Sequence, residues 1–253
     1  MPETLEPGTE DSLLDGRVRL LQPRRGHRAG SDAVLLAAAV ESAEGTVLDL
    51  GAGSGAVGLM IAASSPAAQV LFVERDPALV DLCRRNIELN GLEGRARVIE
   101  ADILAPAGER RLRGLLPSSA DVVVTNPPFL EAGRSRPSPD PGRAAAHQMP
   151  QDGLKQWIET AADLLKPGGR LVLIHRADRL ADCLRSLGEG FGGITLTTVH
   201  PRANEAAIRI VITALKGSRT PLRVTPPLVL HGPDGRFTPE AEGIHRGAAS
   251  LRM

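Results

Sequence analysis

The hydrophobic positions of this 253-residue chain fall into short β-branched runs that alternate with longer amphipathic stretches. Residues 46–50, 69–74, 96–100, 121–125 and 170–175 have the strand pattern. Between them, residues 56–64, 77–90, 151–165 and 177–187 carry apolar side chains at helical spacing. Upstream, Ser31 and Asp32 are placed to cap a further helix over 33–42. Lys166-Pro167-Gly168-Gly169 is a helix stop followed by a tight turn into the next strand. Such alternation predicts an α/β fold with a doubly wound, mostly parallel sheet. Residues 194–200 and 206–215 have no long helix between them, which predicts an antiparallel pair. Beyond them, 216–253 holds a Pro-rich stretch over 222–230, an Asp234-Gly235 turn and a capped segment from Thr238. Residues 1–16 are polar and acidic and read as a loose tail, leaving 17–253 as a single domain with 216–253 packed on it.

Charge narrows the choice of partner. Lys+Arg and Asp+Glu both number 30, so a uniformly basic surface for nucleic acid is excluded and only local patches remain. One candidate patch gathers Arg17, Arg19, Arg24, Arg25 and Arg28, with His27 among them. A second spans Arg134, Arg136 and Arg143. Aromatics are 2% with no Tyr, which argues against stacking several bases at once. Cys83 and Cys183 are far apart and read as buried free thiols of a reducing cytosol. The six His show no ligand spacing, so no metal site is expected. The N-terminus lacks the build of a signal peptide, and the apolar stretch over 33–40 is too short to span a bilayer. A cytoplasmic protein without a membrane partner is expected; a monomer is the favoured oligomeric state.

Four motifs carry chemistry. Asp49-Leu50-Gly51-Ala52-Gly53-Ser54-Gly55 stands at a strand-to-helix turn, where glycines let the backbone approach a ligand and free N–H groups face it. Gly51, Gly53 and Ala56 also satisfy the dinucleotide fingerprint, but Asp49 beside a pyrophosphate would repel it. A carboxylate there suits a cationic ligand such as S-adenosylmethionine (SAM) better than NAD. Glu74, ending the next strand, can accept from ribose hydroxyls. Asp102, after the third strand, either accepts from an adenine amino group or caps the segment that follows. Asn126-Pro127-Pro128-Phe129 ends the fourth strand: two prolines fix the backbone and remove donors, Asn126 offers a neutral acceptor and Phe129 a flat ring.

Together these motifs resemble the class I SAM-dependent methyltransferases of the amino-methylating type, which act on exocyclic base amines or on glutamine amides. The segment from Gln22-Pro23 through Gly26, Arg28, Gly30 and Asp32 to Leu36 is similar to the N-terminal signature of the bacterial tRNA(Val) adenine-37 N6-methyltransferase subfamily. So is the tail, through Ala206, Arg209, Lys216-Gly217-Ser218 and 226–231. The resemblance covers about residues 17–246. Two departures stand out: Phe129 where the subfamily more usually has Tyr, and a long segment over 131–149.

The resemblance implies a Rossmann-like fold with a seven-stranded sheet and a reversed C-terminal hairpin. It implies SAM held by Asp49, Gly51, Gly53, Gly55, Glu74, Asp102 and Asn126, with Arg28 and Asp32 over its methionine end. In the implied mechanism Asn126 Oδ1 and the Pro127 carbonyl accept both amine N–H bonds while Phe129 stacks on the base. His147 is then a solvated loop side chain, not a base. The implied substrate is an exocyclic amine of an RNA base, adenine N6 in a tRNA anticodon loop, reached through the arginine patches. Guanine N2 of rRNA and a protein glutamine are the alternatives that keep the chemistry; a SAM-binding module without catalysis is the alternative that does not.

Overall fold

A computed structural model describes residues 8–23, 28–128, 130–131, 148–149 and 152–253. Phe129, His147, Arg24, Arg25, His27 and the arginines over 134–143 lie outside them. The chain opens with strands β1 (Thr9–Leu13) and β2 (Val18–Gln22), then α1 (Ser31–Ala38), β3 (Gly45–Leu50), α2 (Ala56–Ser64), β4 (Ala68–Glu74) and α3 (Pro77–Leu89). There follow β5 (Ala96–Glu100), α4 (Ala107–Leu112), β6 (Ala120–Thr125) and the two-residue strands β7 (Leu130–Glu131) and β8 (Gln148–Met149). The rest comprises α5 (Gly153–Leu164), β9 (Leu165–Arg176), α6 (Leu180–Leu187), β10 (Phe191–His200), β11 (Arg209–Lys216), β12 (Arg223–Val224), β13 (Leu228–Val229) and α7 (Pro239–His245).

The central sheet runs in the order β12-β10-β11-β9-β6-β3-β4-β5, with β13 also paired to β10. Seven of its strands are long, as expected; β12 and β13 are two-residue additions from the Pro-rich stretch. β3, β4, β5, β6 and β9 are parallel, and β11 is antiparallel to both β9 and β10. Both faces of the sheet are covered, and the strands show it in period two. In β6, Val122 and Val124 join a core with α1, α2 and α3, while Val123 faces a second core with α5 and α6. In β9, Val172 and Ile174 go with the first and Leu171 and Leu173 with the second. The two thiols are buried as expected, one in each core, and burial pushes Cys183 up to about 12 and raises Cys83 as well.

The N-terminal tail is a correction. Residues 9–13 form β1, in antiparallel register with β2 from Thr9↔Gln22 to Leu13↔Val18. The hairpin is docked on α3 by Asn86, whose Oδ1 accepts from Leu21 N at 2.7 Å and whose Nδ2 donates to Leu21 O at 2.9 Å. The α1 cap is a second correction: Gly30 is the N-cap and no side chain caps it. Asp32 instead takes Arg209 Nε on both carboxylate oxygens, at 3.0 and 2.8 Å. Among the described residues no helix is long and apolar enough to cross a membrane.

Candidate active site

Parallel strands deliver their C-terminal ends to one edge of the sheet, and the order reverses between β3 and β6, the place where doubly wound sheets bind ligands. Leu50 pairs with Val73 on one side and Thr125 on the other, so the glycine turn, Glu74 and Asn126 all leave the sheet side by side. Gly51 N and Ala52 N both donate to Val73 O, at 2.9 and 3.0 Å, which folds the chain back over β4. Gly51, Gly53 and Gly55 have φ of +75°, +57° and +91°, a conformation that costs other residues strain. A Cβ on Gly55 would sit 2.7 Å from Cys83 Sγ, and one on Gly51 would sit 3.0 Å from Trp157 Cζ2. At Gly53 a Cβ would meet nothing within 4 Å, so the turn is open to a ligand at its middle glycine.

Two carboxylates stand behind the turn. Asp49 is 2% exposed, and its Oδ2 accepts from Gly58 N at 2.9 Å. Burial pushes its carboxyl up to about 7; the Gly58 N–H opposes this and the Glu74 charge adds to it. Glu74 Oε2 accepts from Gly53 N at 2.9 Å, and Oε1 from Arg75 N at 2.8 Å and Asp76 N at 3.0 Å. A carboxylate offers about four acceptor sites, so roughly one remains for a ribose hydroxyl; a second would have to share the Gly53 N–H site. Mutual repulsion of buried carboxylates is relieved by a cation and worsened by a phosphate.

Asp102 serves the turn that follows it. Its Oδ1 accepts from Leu104 N at 2.9 Å within that turn, and Oδ2 lies 3.6 Å from Arg75; it does not cap a helix, since the N-cap of α4 is Pro106. Asp102, Arg75, Asp76 and Ala101 line a cleft of about 420 Å³ together with Glu109 and Arg110 of α4.

Asn126 follows β6 directly. Its Oδ1 is buried and has no hydrogen-bond partner among the described residues. An unmet buried acceptor costs about 1–3 kcal/mol, and this one, next to Pro127 and Pro128, is available to a donor from outside. Arg28 and Asp32 are engaged within the chain. Arg28 donates to Asp11 Oδ2 at 2.6 Å and to Pro23 O at 3.2 Å, and Asp32 holds Arg209.

Trp157, on α5, drew no attention in the sequence beyond its helical spacing. Its Nε1 donates to Thr125 Oγ1 at 2.8 Å, and that hydroxyl donates to Leu50 O at 2.9 Å. Asn86 was missed too: besides gripping Leu21, its Nδ2 donates to Ser54 O at 2.9 Å and so ties the hairpin to the glycine turn. Its only sequence signal was a polar residue on the inward face of a helix.

Comparison with known proteins agrees with this geometry. Residues 28–201 match the model of the methyltransferase small domain family. The chain belongs to that family and is a class I SAM-dependent methyltransferase. It is 33% identical over 227 residues to the tRNA1(Val) (adenine(37)-N6)-methyltransferase of Porphyromonas gingivalis, covering 84% of this chain and 85% of that protein. It is 34% identical over 158 residues to the release factor glutamine methyltransferase of Moorella thermoacetica, covering 56% of this chain and 51% of that protein. Among solved structures, a predicted O-methyltransferase from Agrobacterium tumefaciens superposes with a TM-score of 0.74 at 34% identity, over 87% of this chain and 98% of the other.

The residues of this methyltransferase fit its cofactor. An open Gly53 and paired carboxylates suited to a cation fit a sulfonium compound bearing an adenosyl group.

Proposed function

We propose that this methyltransferase transfers a methyl group to the exocyclic amine of an RNA base, with adenine N6 of a tRNA anticodon loop as the substrate. The observation that carries the reading is the buried Asn126 Oδ1, without a hydrogen-bond partner among the described residues, beside Pro127 and Pro128 and level with the glycine turn. Bound SAM supplies an electrophilic methyl group on a sulfonium. An aromatic amine is a poor nucleophile because its lone pair is delocalised into the ring. Acceptance of one N–H by Asn126 Oδ1 and of the other by the Pro127 carbonyl favours the tetrahedral nitrogen on which positive charge grows. Acceptors aimed at developing positive charge are the mirror image of an oxyanion hole. Phe129 stacks on the base, and the proton leaves afterwards to water, so no dedicated base is required.

Glu74 takes the ribose, Gly51, Gly53 and Gly55 give close backbone approach, and Asp49 balances the cofactor's positive charge. Asp102 Oδ1 is committed to Leu104 N–H, so its Oδ2 is the oxygen that meets the adenine amino group. Arg28 and Asp32 act from one step back, fixing the segment over the methionine end.

Substrate choice rests on coverage and on the site. Similarity to the tRNA adenine enzyme extends over 85% of that protein, against 51% for the glutamine enzyme. An unpaired loop base is also cheap to present, whereas a duplex base costs a few kcal/mol to extrude. Phosphate contacts fall to Arg24, Arg25, Arg134, Arg136 and Arg143. Arg19 and Arg28 are paired with Glu10 and Asp11, and Arg17 donates to the Leu14, Arg246 and Gly247 carbonyls. A tRNA substrate puts the reaction in the cytoplasm.

The test is transfer of label from methyl-labelled SAM into RNA from a strain lacking this gene, followed by digestion to nucleosides. Label in N6-methyladenosine is expected. Label in N2-methylguanosine, or only in a protein fraction, would replace the substrate while keeping the amine chemistry.

A further inference from the structure

The acceptor strand and the cofactor turn are joined by a buried chain of hydrogen bonds. Trp157 Nε1 donates to Thr125 Oγ1 at 2.8 Å and Thr125 Oγ1 donates to Leu50 O at 2.9 Å. The chain ends one residue before each half of the site: Thr125 precedes Asn126, and Leu50 precedes Gly51. The Trp157 ring also lies against Gly51, where an added Cβ would be 3.0 and 3.1 Å from Cζ2 and Cη2. A glycine is therefore needed at position 51 for two reasons, its positive φ and the approach of this ring. Thr125 is fully buried and Trp157 nearly so, so water cannot substitute for either bond.

The Thr125 hydroxyl has one proton and accepts one. Because Trp157 N–H is a donor only, the hydroxyl must turn its own proton to Leu50 O. The direction of the chain is thereby fixed, and so is the Thr125 rotamer. We propose that Trp157 and Thr125 are positioning residues that set the separation between the amine acceptor at Asn126 and the methyl donor held by the turn at Gly51–Gly53. This rests on the reading of Asn126 as the amine acceptor. In-line methyl transfer depends steeply on that separation, since a misplacement of about 1 Å can cost roughly 10²-fold in rate. Binding of SAM depends on Glu74 and the turn itself and is largely indifferent to where Asn126 stands.

The experiment measures single-turnover methyl transfer to RNA from a strain lacking the gene, with SAM affinity measured separately by calorimetry. Trp157→Phe deletes the N–H together with the Cζ2 and Cη2 atoms that lie against Gly51; Thr125→Val keeps the shape and deletes the hydroxyl alone; Thr125→Ser keeps the hydroxyl. Trp157→Phe and Thr125→Val should each slow transfer about ten- to a hundredfold, and in Thr125→Val, which leaves the ring on Gly51 intact, SAM affinity should change by no more than about twofold. Thr125→Ser should restore most of the rate. The double variant should be no slower than its slower parent, because both changes cut one chain. Unchanged rates, losses that multiply in the double variant, or SAM affinity falling in step with rate in Thr125→Val would each overturn the proposal. If Trp157→Phe does not fold, the Thr125→Val and Thr125→Ser pair decides alone. Asn126→Ala, run alongside, separates the two claims. Full transfer by that variant would overturn the acceptor reading and this inference with it. Loss of transfer there, with Trp157→Phe and Thr125→Val unaffected, would overturn this inference only.

Discussion

Gly53 donates its backbone N–H to Glu74 Oε2 at 2.9 Å, so the middle of the glycine turn is held by the carboxylate that ends the neighbouring strand. The same carboxylate takes Arg75 N and Asp76 N on its other oxygen. Glu74→Gln replaces one acceptor oxygen by a donor and turns it against a backbone N–H. Hydrogen bonds to a charged group contribute about 1.5–3 kcal/mol, so SAM affinity should fall roughly ten- to a hundredfold. Calorimetric titration of the variant checks this; affinity equal to wild type would remove Glu74 from the cofactor site.

The glycines separate into two kinds of position. Gly55→Ala drives a methyl group to 2.7 Å from Cys83 Sγ at φ +91° and should destabilise the fold by about 2–4 kcal/mol, combining overpacking with backbone strain. Beyond its chain neighbours, Gly53→Ala meets no atom of the described residues within 4 Å, so its folding cost is the strain at φ +57°. It should lose SAM affinity more than stability. Denaturant midpoints and titrations of the two variants should therefore rank in opposite order.

Asp49 makes the unliganded protein sensitive to pH. Its carboxyl is raised from an ordinary 3.8 to about 7, burial being the chief cause. Between those values the folded protein holds a proton that the unfolded chain has released. The contribution of this group to stability is thus complete below pH 3.8 and is lost as pH rises through 7. The slope is at most about 1.4 kcal/mol per pH unit. A cation bound in front of the turn favours the ionised form, so SAM affinity should strengthen as pH rises towards 7 and level off above it. Asp49→Asn, which keeps an acceptor for Gly58 N, should flatten both profiles relative to wild type. Parallel profiles for variant and wild type would count against this assignment.

Asn86 joins three elements through one side chain, bonding Leu21 N, Leu21 O and Ser54 O. Asn86→Ala leaves those groups unmet and should cost about 2–4 kcal/mol, since each buried orphan costs on the order of 1–3 and the losses are not additive. Hydrogen exchange should show the Thr9–Gln22 hairpin opening before the central sheet in this variant.

How much of this was legible in the sequence follows from the range of the forces involved. Ala56–Ser64 and Ala96–Glu100 have the predicted bounds; β3, β4 and β6 differ by one residue at their starts, because a strand buried on both faces is a continuous apolar run between turn residues. Thr9–Leu13 read as a tail because Thr-Glu-Asp-Ser-Leu carries almost no apolar signal; its partner β2 supplies the burial. Ala107–Leu112 was passed over for the same reason, with Leu112 fully outward. In the site, the turn, Glu74 and Asn126 were visible because each lies at a strand end, where local pattern and ligand geometry coincide. Asp32 with Arg209 and Thr125 with Trp157 were not, since partners 177 and 32 residues apart leave no local trace.

The central claim is that Asn126 Oδ1, buried and without a partner among the described residues, accepts from the amine that is methylated. Its most direct test is Asn126→Ala in single-turnover methyl transfer to unmodified RNA, with SAM affinity measured on the same preparation. By comparison with the loss of one oxyanion-hole donor, the rate should fall roughly 10²–10³-fold while SAM affinity stays close to wild type. An unchanged transfer rate would contradict the account.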